Sequence, residues 1–402
     1  MSEAGYEVVG IDVDEEKVEK LNRGESYLSE LSDKDVSELL DSGLTPTTDY
    51  SELTDLSYIS ICVPTPYSKT GQPEVSYVVE AAERLAEVIS EGTVVVLEST
   101  VYPSATEDLV ASTLSHNGWE VGENVYVAHS PERIDPGNNE YEHTEIPKVI
   151  GGVTEACGDV AEEWYSTVFD EVVRVDSAKE AEMSKILENT FRSINIGMIN
   201  EMTTIANELD INIWNVIDAA STKPFGFMPF YPGPGLGGHC IPIDPKYLSW
   251  KANQHGIETR FIDLADQINR EMPDHVVERI VRLLNDKGVP LPDADVLILG
   301  VSYKPDVPDT RESPAYDIIE RLREFGANVS YHDPLVSEFA VGENVYRSKE
   351  LTKSLLNDHD CTVIVTDHSD LDLEQVVNES PLVFDTRNAT ENYDGSGNIE
   401  RL

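Results

Sequence analysis

The chain has 402 residues, enough for two or three domains with cores of ordinary size. Aspartate and glutamate outnumber lysine and arginine 76 to 29, giving a formal charge of −47, and 40% of the residues are hydrophobic. That charge argues against nucleic acid or anionic membrane as partners, and no apolar run reaches the length of about 18 residues that a spanning helix needs.

The acids are spread along the whole chain rather than gathered in a tail. Molar salt shortens the Debye length to about 3 Å and removes most of the self-repulsion. The composition therefore predicts a protein adapted to high salt, from a cytoplasm rich in potassium. The four cysteines, Cys62, Cys157, Cys240 and Cys361, form no C-x-x-C pair and no Cys/His cluster with zinc spacing. Neither a metal site nor a disulfide is expected, which fits a reducing compartment.

Residues 6–12, Tyr-Glu-Val-Val-Gly-Ile-Asp, read as a strand ending in an acid, and 14–21 as a helix. In a dinucleotide-binding βαβ unit, the acid ending the second strand holds the adenosine ribose, and a glycine-rich turn precedes it by about 20 residues. Only 11 residues precede Asp12, and they carry no G-x-G-x-x-G. Asp12 is then either an ordinary strand-end acid on a turn, or the acid of a unit whose first strand and glycine turn are missing. Residues 56–66 read as a strand stopped by Pro64-Thr65-Pro66, and 79–89 as a helix. Residues 92–100 contain the continuous apolar run of a parallel strand buried on both faces. Another strand at 123–128 leads into His129-Ser-Pro-Glu132-Arg133. Strands alternating with helices predict an α/β fold with a parallel sheet. Thr65, Thr100 and Glu132 fall just past strand ends, where open sheets of this class bind ligands. Residues 148–152 open the next strand and helix, and 172–176 close a first domain, 1–176.

Residues 178–209 read as one long helix with an apolar stripe of Met183, Leu187, Ile194, Met198 and Ile205 near a 3.6-residue period. Lys185, Asn189 and Arg192 share a different face, which is either solvated surface or the wall of an anion site. A helix of this length serves as a spine between two domains or two subunits. Residues 213–220 continue as helix, and 222–231 form an aromatic, proline-broken loop that can stack a base or pack on the core. The next stretch, 231–245, reads Tyr-Pro-Gly-Pro-Gly-Leu-Gly-Gly-His-Cys-Ile-Pro-Ile-Asp-Pro. Glycine at this density serves positive φ or close approach to a ligand. Cys240 is then either a group that reaches a bound small molecule, with Asp244 holding a water or an ammonium beside it, or a buried structural cysteine in a turn. Helices are expected over 246–252 and 261–284, the second carrying Asn269-Arg270. The composition shift at 289–292 separates a central domain, 177–290, from a third, 291–402. That domain shows strands at 294–300, 327–333, 361–365 and 382–385, and a basic turn Tyr303-Lys304-Pro305-Asp306. Ser313 caps a helix that has Pro314 at its first position. The end, 390–402, reads as polar and frayed.

Several stretches together resemble the nucleotide-sugar 6-dehydrogenases, the UDP-glucose/GDP-mannose dehydrogenase family. They are Val9-Gly-Ile-Asp12, Cys62-Val-Pro-Thr-Pro66, Glu98-Ser-Thr-Val-Tyr-Pro103, Ser130-Pro-Glu-Arg133, Ala181-Glu-Met-Ser-Lys185 with Glu188-Asn189, Gly237-Gly-His-Cys240 through Asp244, and Tyr303-Lys-Pro-Asp306 with Thr310-Arg-Glu-Ser-Pro314. They stand in family order and cover nearly the whole chain.

The resemblance implies two Rossmann-like α/β domains joined by a long-helix central dimerisation domain. It implies NAD as cofactor, a UDP-sugar as substrate, and a homodimer or higher homo-oligomer in the cytoplasm. The implied reaction oxidises a C6 alcohol to a carboxylate in two NAD-linked steps, with Cys240 carrying the sugar as thiohemiacetal and then thioester. Lys185 and Asn189 would hold the oxyanion. Asp244 would orient the lysine and a water, Glu132 would act as general base, and Thr100 would position that water. Asp12, Lys17, Thr65, Thr100 and Arg311 would meet the cofactor. Glu132, Arg133, Lys185, Asn189, Tyr231, Gly237 and Lys304 would meet the sugar nucleotide. The wording of 223–240 and of Pro131-Glu-Arg-Ile-Asp-Pro-Gly137 is closest to the branch acting on UDP-N-acetylglucosamine or UDP-N-acetylmannosamine. The UDP-glucose branch has Phe-Gly-Gly-Ser-Cys and Pro-Glu-Phe-Leu-x-Glu-Gly there. Against the family pattern, the first strand and glycine turn are missing, which predicts weak NAD binding and an exposed sheet edge. Other readings are a UDP-glucose 6-dehydrogenase, a truncated relic that binds UDP-sugar without catalysis, and an enzyme of the 3-hydroxyacid dehydrogenase kind that needs no cysteine.

Overall fold

The computed structural model describes residues 1–27, 31–68, 71–135, 141–238, 241–342, 344–393 and 397–402, with every side chain among them but that of Glu3. The chain divides into two compact units, 1–188 with 246–258, and 189–245 with 259–402.

In the first unit β1 (Val8–Ile11) leads into α1 (Glu15–Asn22), whose first N–H groups are met by the Asp14 carboxylate. A Ser32–Asp35 capping box starts α2 (Asp33–Asp41), and the chain returns as β2 (Leu44–Thr47), parallel to β1. Next come β3 (Tyr58–Ile61), α3 (Ser76–Val88) and β4 (Val94–Leu97), then a π-helical stretch (Thr106–Ala111) running into α4 (Ser112–His116), and β5 (Tyr126–His129). The Val-Val-Val-Leu run of β4 is buried on both faces, as its lack of alternation predicts. After β6 (Lys148–Gly152), α5 (Glu155–Tyr165) and β7 (Val172–Val175) the sheet order is β3-β4-β5-β6-β7.

The sheet is parallel, as expected, but for one pair. β6 runs antiparallel to β5, with Ala128 opposite Gly152 and His129 opposite Gly151. No helix lies between β5 and β6 among the described residues, so nothing carries the chain back to start a parallel strand. In consequence β6 begins at the carboxyl edge of β4 and β5, which brings Lys148 there. β1 and β2 form a separate two-stranded sheet. A cavity of about 660 Å³ lies between the two sheets, lined by Val8, Val9 and Ile11 on one side and Ile59, Ser60 and Ile61 on the other.

The helix α6 (Ala178–Glu208) has the expected length, but the expected apolar stripe is not its buried side. Its buried positions include Glu182, Asn189, Thr190, Ser193, Asn200 and Thr203, while stripe residues Leu187 and Met198 are 59% and 47% exposed. α7 (Ile213–Ser221) is capped by the Asn212 side chain, and α8 (Asp244–Gln254) follows the cysteine loop. α9 (Arg260–Asp286) contains Pro273, whose missing N–H leaves the Asn269 carbonyl without its helical donor.

The rest of the second unit is β8 (Asp295–Leu299), α10 (Pro314–Glu324), β9 (Asn328–His332), the hairpin β10 (Glu338–Val341) and β11 (Asn344–Arg347), α11 (Lys353–Asn357), β12 (Cys361–Ile364), α12 (Leu373–Glu379), β13 (Val383–Asp385) and β14 (Ile399–Arg401). Ser313 caps α10, with Pro314 first in the helix, as the sequence predicts. The order β14-β13-β12-β8-β9 is parallel throughout. Among the described residues the last few are held rather than frayed: β14 pairs with β13, and the carbonyl of buried Leu402 accepts the Trp214 Nε1–H at 3.1 Å. Tyr393, Ile399 and Leu402 are the only hydrophobic residues in that stretch, too few to mark a strand without its partner.

Candidate active site

At the carboxyl edge of the first unit three charged groups converge. Glu98 follows β4, Glu132 follows β5, and Lys148 opens β6. The Lys148 ammonium lies 2.8 Å from Glu98 Oε2 and 3.2 Å from Glu132 Oε2. The other oxygen of Glu98 accepts the hydroxyls of Ser60 (2.8 Å) and Tyr165 (2.7 Å). The other oxygen of Glu132 accepts the backbone N–H of Arg133 (2.6 Å) and Ile134 (2.7 Å). Burial pushes the Glu132 carboxyl up, but the Lys148 charge and these N–H groups hold it below its ordinary value. Burial likewise pulls Lys148 down, and the two carboxylates more than reverse it. Arg133 pairs with Glu188 at 2.9 Å and donates to the Pro147 carbonyl at 2.7 Å; its Nε is buried without a partner among the described residues.

Close by in the same unit, the Thr65 hydroxyl donates to the Thr100 carbonyl at 2.8 Å, which ties the loops after β3 and β4 together. Tyr247, in α8, donates its hydroxyl to the Thr65 carbonyl. Asp12 stands at the end of β1, where it accepts the Asp14 N–H (2.9 Å) and pairs with Lys17 (3.4 Å). On α6, Glu182 accepts the N–H groups of Ser104 (2.5 Å) and Thr106 (2.7 Å), and burial pushes its carboxyl up to about 7 against their pull. Lys185 is half-buried one turn further along the helix.

In the second unit, buried Asn189 donates to buried Asp244 at 2.5 Å. Cys240 and His239 lie outside the described residues. The glycine stretch leading to them is tied down by groups the sequence did not mark as functional. Asn200 accepts the Gly233 N–H (3.1 Å) and donates to Asn269 (2.8 Å), which donates in turn to the Ser193 carbonyl (3.2 Å). Gly235, at φ +140°, sits against the Pro273 ring and the Asn269 carbonyl that Pro273 leaves free; a Cβ there would come within 3.5 Å of both. Gly237 has no room for a side chain, since a Cβ would lie 2.7 Å from Tyr303 Cβ and 2.8 Å from the Glu312 carbonyl. The Gly238 N–H donates to the Arg311 carbonyl at 3.0 Å. Lys304 follows β8, half-buried. The Arg311 guanidinium is exposed and forks onto Asp309 at 2.6 to 3.0 Å. Tyr231 stacks on Trp214 with ring centroids 6.0 Å apart.

The predicted residues thus group as Asp12 with Lys17, Thr65 with Thr100, Glu132 with Arg133, Asn189 with Asp244, and Gly237 beside Arg311. Lys148, Glu98, Asn200 and Asn269 are the additions. Asn189 and Asn200 are 11 residues apart, three helical turns, so their shared face was the one available signal. Among the described residues, no group of three or more His, Cys, Asp or Glu side chains could hold a metal ion, and no helix is long and apolar enough to cross a membrane.

Three models of one family match the chain in succession: the NAD-binding domain of the UDP-glucose/GDP-mannose dehydrogenase family over residues 1–169, its central domain over 179–271, and its UDP-binding domain over 297–392. A UDP-N-acetyl-D-mannosamine dehydrogenase of Methanococcus maripaludis is 33% identical over 96% of this chain and 88% of its own. A UDP-N-acetyl-D-glucosamine 6-dehydrogenase of Salmonella typhi is 33% identical over 82% and 77%. The solved UDP-D-ManNAc dehydrogenase of Pyrococcus horikoshii superposes with a TM-score of 0.87 at 31% identity, covering 96% of this chain and 91% of its own. The chain belongs to the UDP-glucose/GDP-mannose dehydrogenase family and is an NAD-dependent nucleotide-sugar dehydrogenase.

Proposed function

We propose that this enzyme oxidises the C6 alcohol of a UDP-N-acetylhexosamine, in the N-acetylglucosamine or N-acetylmannosamine form, to the uronate for polysaccharide or glycan synthesis. The relatives with those activities and the wording of the cysteine loop support this class of sugar. The observation that carries the reading is the buried Asn189–Asp244 pair. Two buried polar side chains from separate helices meet four residues after a cysteine on a tightly packed glycine stretch.

Bound NAD would supply the hydride acceptor for each of the two oxidations. Asp12 suits its ribose end: the carboxylate follows a strand of a parallel pair and spends only part of its acceptor capacity on Asp14 and Lys17. Thr65, Thr100 and Arg311 are assigned to the same cofactor. Cys240 adds its thiolate to the aldehyde carbon and holds that carbon through to the thioester. Lys185 and Asn189 steady the oxyanion. Glu132, kept anionic by Lys148, takes the proton of the hydrolytic water, which Thr100 helps to place. Arg133, Tyr231, Gly237 and Lys304 line the sugar-nucleotide site. By function the chain divides into a cofactor domain (1–176), a central domain (177–290) and a UDP-sugar domain (291–402), a division the family-model spans support. We place it in the cytoplasm, where sugar nucleotides are made.

Replacing Cys240 by serine tests the mechanism. The wild-type enzyme releases two NADH per uronate, and the variant makes none. Uronate formation by the serine variant would remove the covalent route, and one NADH per substrate would remove the four-electron oxidation. Parallel assays with UDP-glucose and the two UDP-N-acetylhexosamines identify the sugar.

A further inference from the structure

Lys148 is an unusual first residue for a strand. Its side chain is 4% exposed, its ammonium contacts two carboxylates, and it lies over the rings of Tyr165 and Phe169 at 5.7 and 5.4 Å. Buried ion pairs are poor stabilisers, because an apolar replacement often does as well. The two carboxylates also differ in setting. Glu98 is 13% exposed and has its second oxygen filled by Ser60 and Tyr165. Glu132 is 51% exposed, and its second oxygen is pinned by two backbone N–H groups. One carboxylate is enclosed beside the ammonium, and the other is held in a single orientation at the solvent edge.

We propose that Lys148 is a positioning residue for Glu132, and that Glu98 is the buried counter-ion that divides the lysine's field with it. This rests on the reading of Glu132 as the general base. The lysine fixes Glu132 Oε2 in place and keeps the carboxylate ionised, ready to take a proton from water. Four further titratable groups packed around the cluster, His129, Cys62, Tyr58 and Tyr165, are shifted toward their neutral forms. Burial and the Lys148 charge push His129 down to about 3. Burial and Glu98 push Cys62 up to about 11 and hold Tyr58 well above its ordinary range, while burial, Tyr58 and Glu98 do the same for Tyr165. The nearby Arg133 guanidinium is engaged by Glu188.

The test uses the variants E98Q and E98Q/K148M, with two readouts: a ¹³C carboxyl titration of Glu132, assigned with E132Q, and the pH dependence of turnover. The double variant removes a balanced pair. It should move the Glu132 titration upward, and turnover at pH 5 relative to pH 7.5 should fall about tenfold. E98Q alone leaves the ammonium to Glu132 and should move the titration downward. An unmoved Glu132 titration in the double variant overturns the proposal. Should the double variant fail to fold, E98Q alone decides: a downward move supports the proposal, and no move or an upward one overturns it. The general-base reading fails separately, if E132Q retains full turnover whatever the titration does.

Discussion

Asp333 shows how much of a loop can hang on one carboxylate. Its Oδ2 accepts the N–H groups of Val301 (2.7 Å) and Ser302 (3.3 Å) and faces His368 Nε2 at 3.1 Å; its Oδ1 accepts those of Leu335 and Val336, both at 2.9 Å. His368 Nδ1 in turn accepts the Asp306 N–H at 3.0 Å, so the turn carrying Lys304 is anchored on both sides. Burial would raise this carboxyl, but His368 and the backbone N–H groups hold it well below the ordinary range. A depressed native value stabilises the fold at every pH above the unfolded value of about 3.9, and the contribution is lost as pH falls through the native value. Asp333→Asn should therefore cost about 2 to 4 kcal/mol at neutral pH and flatten the loss of stability below about pH 4. Urea melts of both proteins across that range measure it. Equal stability at pH 7 would show that the loop does not depend on the charge.

At the scale of elements, α6 poses the sharper question, because polar residues are buried along its inner side while a row of apolar ones stands exposed. Phe191, Met198, Met202 and Ile205 stand between 40% and 48% exposed along it, and Leu209 just past its end is 63% exposed, an apolar face too continuous for scattered surface residues. A second copy of the same helix is the simplest cover, since a two-fold interface sets one patch against itself. Replacing Met198 and Ile205 together by aspartate should leave the protomer folded, as both side chains are already exposed, and turn a sedimenting dimer into a monomer. A wild-type protein that sediments as a monomer at micromolar concentration would rule the interface out. The length of α6 was legible in its sequence, but its orientation was not, because a stripe of apolar residues looks the same whether it meets a core or another subunit. β4 was legible because burial on both faces leaves a continuous apolar run. The reversal of β6 was hidden, since strand direction depends on the connection rather than on the strand's own residues, and with it went the significance of Lys148. Asp244, Asn189 and Glu132 could be named from motifs, whereas Asn200 and Asn269 act only through a packing that brings two distant helices together.

For the whole molecule the governing quantity is a charge of −47 on 402 residues. Each acid on the surface repels its neighbours, and the compact state gathers them more closely than the unfolded chain does. In 0.1 M salt the Debye length of about 10 Å spans several surface carboxylates; at 1 M it shrinks to about 3 Å, and each then acts almost alone. The thermal midpoint should rise steeply between about 0.1 and 1 M KCl, as the Debye length falls below the spacing of neighbouring charges, and flatten beyond. Salts also strengthen apolar burial, and that effect depends on ion type and is greatest for excluded anions such as sulfate. Melting curves in KCl and potassium sulfate at matched ionic strength separate the two causes. Coincident curves below 1 M would assign the gain to screening. A midpoint that followed the anion, or did not move between 0.1 and 1 M, would mean that screening of this acidic surface does not govern the protein's stability.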